Sequence, residues 1–186
     1  MIAGTIEAAG LVRVNMGRLL VVFGLMDNYP EANARHYRFM LEGLAEVASA
    51  LKRRGMHFVL RRGAPDVVAI ELARNASLVV CDRGYLRHQK AWRRTVANEA
   101  GCRVEQVEAD VVVPVNTASN KREHAARTLR PKLHRHLDEY LVDLNTTAVQ
   151  QQATRLSIGG EDLSDPDALL RRLKVDQGVA PVACFR

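Results

Sequence analysis

Little in this chain points to a membrane, an oxidising compartment or a metal. The longest apolar run, Leu19 to Met26, falls far short of the roughly 20 residues a spanning helix needs. No charged segment followed by an apolar core opens the sequence, so no signal peptide is expected. Cysteine is scarce. Cys81, Cys102 and Cys184 are an odd number without paired spacing, which argues for a reducing compartment and against a disulfide framework or zinc module. His134-x-His136 comes nearest to a metal motif, but it lacks a third ligand at usable spacing, and no metal site is expected. There is no G-x-G-x-x-G, no P-loop and no G-x-S-x-G, so phosphate transfer and serine hydrolysis have no motif behind them. The single tryptophan, Trp92, falls within a helical pattern and reads as a packing residue. The expectation is a soluble, cytoplasmic protein with no membrane partner.

What is present is an alternation of short buried strands and amphipathic helices. The chain has 186 residues, enough for one domain with an appended tail and a sizeable core. LLVVFGL (Leu19 to Leu25) is a continuous apolar run of the kind a strand covered on both faces requires. From His36 to Lys52, Tyr37, Met40, Leu41, Leu44, Val47, Ala48 and Leu51 repeat at helical spacing, and Gly55 stops the pattern. Met56 to Leu60 reads as a strand, and Pro65 starts a helix to about Arg74. Leu78 to Cys81 is a further strand, Gln89 to Glu99 a helix and Val104 to Val107 a strand, with Val111 to Val113 as a short extension. Such alternation predicts the α/β class, with a parallel sheet and right-handed crossovers. Asn145 to Gly160 is polar and reads as a linker. A short helix follows from Asp165 to Leu173, with Ser164 as its cap and Pro166 just inside it.

Open parallel sheets bind ligands beyond the carboxyl ends of their strands, so the loops there are the ones to inspect. CDRGYLRHQKAW is the richest, because Asp82, Arg83, Tyr85 and Arg87 immediately follow a buried strand. A tyrosine ring with flanking guanidinium groups can stack on and hydrogen-bond a flat heterocycle. The plainer account is that Asp82 caps the next helix and the arginines face solvent.

Charge is concentrated in one place. The chain carries 27 Lys plus Arg against 21 Asp plus Glu, a modest excess that suits nucleic acid or phosphate partners without requiring them. Within EADVVVPVNTASNKREHAARTLRPKL (Glu108 to Leu133), however, the run from Lys121 to Lys132 sets Lys121, Arg122, Arg127, Arg130 and Lys132 against the single carboxylate of Glu123. Solvated helices usually mix both signs, so this run suggests an anionic neighbour.

The wording of that stretch carries more than its charge. Val113, Pro114, Ala118, Ser119, Lys121, Glu123, His124, Ala125, Ala126, Thr128, Arg130, Pro131 and Lys132 fit an ungapped pattern, V-x-P then A-S-x-K-x-E-[YH]-A-A-x-T-x-R-P-K. The chain thereby resembles class II DNA photolyases, light-driven enzymes that split cyclobutane pyrimidine dimers. Arg35, His36, Tyr37, Phe39, Met40, Leu41, Gly43 and Leu44 fit the same family's R-[HQ]-[YF]-x-F-M-L-x-G-L helix, where core packing is the expected role. Asp82, Leu86 and Arg87 match its T-D-F-S-P-L-R-like loop, whereas Arg83, Gly84 and Tyr85 depart from it.

The resemblance implies a Rossmann-like, doubly wound and mostly parallel sheet with helices on both faces. Residues 1–144 would form an N-terminal α/β domain, and residues 145–186 would lead toward a helical domain outside this chain. That domain would hold FAD, flip the dimer out of damaged DNA and donate the electron. This chain would be the antenna-binding scaffold, carrying no catalytic residue and inactive alone. The antenna, a deazaflavin or a folate, would sit among Gly24, Leu25, Met26, Arg62, Gly63, Asp82, Arg83, Tyr85 and Arg87. Lys121, Arg127, Arg130 and Lys132 would face DNA phosphates or the second domain. The alternative is a free-standing α/β module for a nucleotide or flavin-like ligand. One element is out of place: the family's first, central strand is missing, and Thr5 to Val14 matches the helix that follows it. An N-terminal segment rearranged as a strand (Leu11 to Asn15 alternates weakly) or self-association of the chain would have to fill the gap.

Overall fold

The computed structural model describes residues 9–14, 18–143, 149, 152–153 and 156–179, with the backbone alone described at 9–14. Five strands form one sheet in the order β3-β2-β1-β4-β5: β1 (Ala9–Val14), β2 (Arg18–Leu25), β3 (His57–Arg62), β4 (Ala76–Asp82) and β5 (Arg103–Val107). The helices are α1 (Ala34–Arg53), α2 (Pro65–Ala73), α3 (Arg87–Glu99), α4 (Val115–Ala118), α5 (Ala126–His134), α6 (Leu137–Tyr140) and α7 (Pro166–Arg172).

β2 pairs in parallel with β3, and β4 with β5, but β1 runs antiparallel to both β2 and β4. The mostly parallel, doubly wound sheet is therefore present, and its gap is filled from the N-terminal side. Only three residues separate Val14 from Arg18, which are register partners. A parallel neighbour would need a crossover of a dozen or more residues, so so short a link forces the antiparallel direction. This overturns the match of Thr5–Val14 to a helix for residues 9–14; residues 5–8 lie outside the described residues. The ladder between β1 and β4 slips at Arg13/Val14.

The alternation of β2 splits the core into two layers. Val21, Phe23 and Leu25 pack with Tyr37, Leu41, Leu44 and Leu51 of α1 and with Leu169, Leu170 and Leu173 of the α7 region. Leu20 and Val22 pack on the other face with Val68, Ala69 and Ala73 of α2 and Val96 of α3. The sheet grows from β2 toward β3 on one side and from β4 toward β5 on the other. Crossovers of one hand then place α1 and α3 on opposite faces, as observed.

Four local expectations are corrected. Val111–Val113 is not a strand, because the chain bends at Asp110, Val112 and Val113 and pairs with no neighbour in the sheet. Ser164 does not cap α7; Asp165 does, accepting from Ala168 N at 2.9 Å, while Ser164 bonds to Asp162. Asp82 does not cap α3 but ends β4, and Leu86 holds the cap position with its N–H on Gln89 Oε1 at 2.9 Å. The last part of the 145–160 stretch is not a loose connection. Arg61 Nε donates to Gly159 O at 3.0 Å and Glu161 N to Leu60 O at 2.7 Å, so the chain runs along the β3 edge.

Candidate functional site

The carboxyl ends of β2, β3, β4 and β5 lie on one side of the sheet, as their shared direction requires. Strand order reverses around β1, so the crevice expected in such folds lies between the loops after β2 and β4. Those loops meet through aromatic side chains. Tyr29 OH is 3.2 Å from His88 Nε2, their rings cross edge-on at 5.3 Å, and His88 stacks edge-on with Trp92 at 4.8 Å. Tyr29 and His88 were not singled out from sequence, because neither belongs to a motif. The available signal was position: one follows β2, and the other lies in the first turn of α3.

On the β2–β3 side, the backbone is tightly packed. Gly63 N donates to Leu25 O at 2.9 Å, and a Cβ on Gly24 would lie 2.6 Å from Pro65 Cα. Gly24 is thus needed for the approach of α2. Leu25 is buried in the core, and Met26 offers its carbonyl to Tyr37 OH at 2.7 Å. Burial raises the Tyr37 phenol above its ordinary 10.0. Arg62 reaches Asp27 at 3.6 Å and Arg172 O at 2.8 Å, while Ala34 N donates to Asp176 O at 2.8 Å. The segment after α7 therefore straps this rim.

On the β4–β5 side, Arg83 and Tyr85 turn toward Glu108. Arg83 Nη1 is 3.2 Å from Glu108 Oε2, Tyr85 OH donates to Glu108 Oε1, and Val115 N donates to the same oxygen at 3.1 Å. The Arg83 guanidinium lies 5.6 Å from the Tyr85 ring centroid. Burial raises the Tyr85 phenol above 10.0, and the bond to Glu108 adds to the effect. Arg93 Nη1 holds the loop through Gly84 O at 2.7 Å. Arg87 begins α3 and is exposed. Sequence reasoning missed Glu108, the hub of this network, because a carboxylate just after a strand looks like any polar loop residue.

The basic run divides in two. Lys132 Nζ sits 2.6 Å from Glu123 Oε1 and 3.1 Å from Ser119 Oγ, and Ser119 Oγ donates to Glu123 at 2.8 Å. Hydrogen bonds from Lys132, Thr128 and Ser119 hold the Glu123 carboxyl at about 2, below its ordinary 4.5. Lys121, Arg127 and Arg130 are exposed. No cluster of three metal-ligating side chains occurs among the described residues.

The sequence model of the family DNA photolyase matches residues 6–153, well over half of the chain. The chain belongs to the DNA photolyase family. It is 44% identical over 143 residues to a deoxyribodipyrimidine photo-lyase of Methanothermobacter thermautotrophicus, covering 77% of this chain and 32% of that one. It is 35% identical over 146 residues to that of Oryza sativa subsp. japonica, covering 74% and 29% respectively. For Potorous tridactylus the identity is 35% over 129 residues, covering 67% and 24%. The chain thus spans about a third or less of the photolyases it matches. No helix among the described residues is long and apolar enough to cross a membrane.

Proposed function

We propose that this chain is the antenna-bearing scaffold of a class II deoxyribodipyrimidine photo-lyase, residues 1–144 forming the α/β domain and 145–186 leading toward the helical domain. The 44% identity over 143 residues to a photolyase carries the reading. FAD would be held by the part of a photolyase that this chain does not span, and the repair of cyclobutane pyrimidine dimers in damaged DNA would proceed there by light-driven electron transfer. The residues here fit a flat antenna ring, a deazaflavin or a folate, at the crevice between the loops after β2 and β4. Tyr29 and His88 offer aromatic edges and Arg87 an exposed cation. When bound, the antenna would supply excitation energy to the flavin. The few cysteines, an odd number without paired spacing, suit a cytoplasmic setting.

Titration of the purified chain with a deazaflavin, a folate and FAD tests this by absorbance. One antenna should bind at one per chain and FAD not at all. Tyr85→Ala combined with Arg87→Ala should weaken the antenna without exposing the core to denaturant. Stoichiometric FAD on this chain, or antenna binding indifferent to the double substitution, would overturn the assignment.

A further inference from the structure

The outer face of α3 carries a charge pattern that its own helix disfavours. At 3.6 residues per turn, Arg87, Lys90, Ala91, Arg94, Ala97 and Asn98 share one side, and all are exposed. Three of them are cations and none is a carboxylate. Arg87 precedes Lys90 by three positions and Lys90 precedes Arg94 by four, the spacings at which like charges repel along a helix. Arg87 is also the first residue of α3, and no acidic residue occupies the first turn. Positive charge therefore meets the positive end of the helix dipole. No ion pair among the described residues engages Arg87, Lys90 or Arg94. Arg93, by contrast, turns to Gly84 O at 2.7 Å and Gln89 O at 3.3 Å. An anion lying along the outer face would turn each of these repulsions into an attraction.

We propose that this face binds the anionic tail, carboxylate or phosphate, of the chromophore whose flat ring lies in the crevice between the loops after β2 and β4. The inference rests on the antenna reading and narrows the ligand to one that carries a charged tail. Position selects that occupant. His88, whose Nε2 lies 3.2 Å from Tyr29 OH at the crevice, falls between Arg87 and Lys90 in the chain. The cationic face therefore starts at the crevice. At a rise of 1.5 Å per residue, Arg94 lies about 10 Å beyond Arg87 along the helix axis. The three cations form one narrow track leading away from the ring site. A flexible run of anionic groups can follow such a track, meeting one cation after another. Duplex DNA is bound through many phosphates spread over two strands, which a single row of three cations serves poorly.

Absorbance titration of the 186-residue chain compares chromophores that differ only in their tails. Monoglutamyl folate is set against oligoglutamyl folate, and a deazaflavin riboside against its phosphate-bearing form. The more anionic member of a pair should bind about tenfold more tightly at low salt, and added salt should erase the difference. A gain in the folate pair assigns a carboxylate tail, and a gain in the deazaflavin pair a phosphate. Lys90→Gln combined with Arg94→Gln should abolish the gain and leave the less charged member bound as before. Because it removes two like-charge pairs, this double substitution should leave the urea midpoint unchanged or raised. A lowered midpoint would give the two cations a partner within the fold and overturn the inference. A gain that survives the double substitution would also overturn it, and weakened duplex DNA binding in that case would assign the face to nucleic acid. Rings that bind with no gain from the tail sink the track and leave the antenna reading standing. If no form binds, the antenna reading fails and the track fails with it.

Discussion

At the scale of single residues, two carboxylates, Glu108 and Glu123, organise the segments around the site. Glu108 gathers Arg83, Tyr85 and the backbone of Val115, tying the loop after β4 to the segment after β5. Glu123 gathers Ser119 and Lys132, and its depressed pKa makes it a pH-dependent clamp. A carboxyl whose folded pKa lies below its unfolded value stabilises fully above the unfolded value and loses that contribution as pH falls through the folded one. For Glu123 the window runs from the ordinary 4.5 down to about 2. Urea unfolding at a series of pH values should show Glu123→Gln destabilised at neutral pH. Its stability should also fall less steeply than that of the unsubstituted protein as pH drops through the window. Parallel curves would show that the clamp contributes nothing to folding.

Gly24 illustrates a residue whose role the sequence suggested for a ligand and packing explains without one. Adding a methyl group at 2.6 Å from Pro65 Cα must push α2 off the sheet, since the obstacle is backbone. Gly24→Ala should therefore cost about 1–3 kcal/mol, the usual range for overpacking, measured by chemical denaturation. A loss of antenna binding with unchanged stability would instead make Gly24 a ligand contact.

At the scale of elements, the strand that decides the architecture is the least obvious one. β1 is flanked on both sides, so each of its ladder bonds lies inside the sheet. Val12→Pro removes a donor at that central position and should cost about 1–3 kcal/mol for each partner left unpaired. The same change at Arg103, the first residue of edge strand β5, should cost much less. Thermal unfolding of the two variants compares them directly, and equal shifts would argue that β1 is not an integral strand. α7 is the complementary case. Leu169 is fully buried against α1 and β2 although it lies well over a hundred residues beyond them in the chain. Leu169→Ala should cost about 2–5 kcal/mol. A negligible change would mean that α7 is an appendage rather than part of the core.

At the scale of the whole molecule, a formal net charge of +6 is spread unevenly, and the run from Lys121 to Lys132 holds much of it. Lys132 is engaged by Glu123, which leaves Lys121, Arg122, Arg127 and Arg130 exposed, and Arg127 and Arg130 lie together on α5. If they meet DNA phosphates in the assembled enzyme, duplex binding weakens with salt at a log–log slope of roughly −0.9 per contact. Replacing both by alanine should then reduce that slope by about two contacts' worth. An unchanged slope would leave domain docking, or plain solvation of the run, as the better account.

The sequence by itself determined the α/β class, the positions of β2 to β5 and of α1 to α3, and membership of the family. These follow from signals local to a few neighbouring residues: a continuous apolar run, a helical repeat, a Pro that starts a helix, and an ungapped pattern of side chains. What only the tertiary structure decided depends on residues far apart in the chain. It turned Ala9–Val14 from a helix match into the central antiparallel strand, because the vacancy between β2 and β4 is a property of the sheet and the short link to β2 leaves one direction. It tied Lys132 to Glu123, turned Arg83 and Tyr85 onto Glu108, and brought Tyr29 to His88. Hydrogen bonds and packing between residues nine to 59 positions apart set these contacts, and no periodicity encodes which side chain will be the partner.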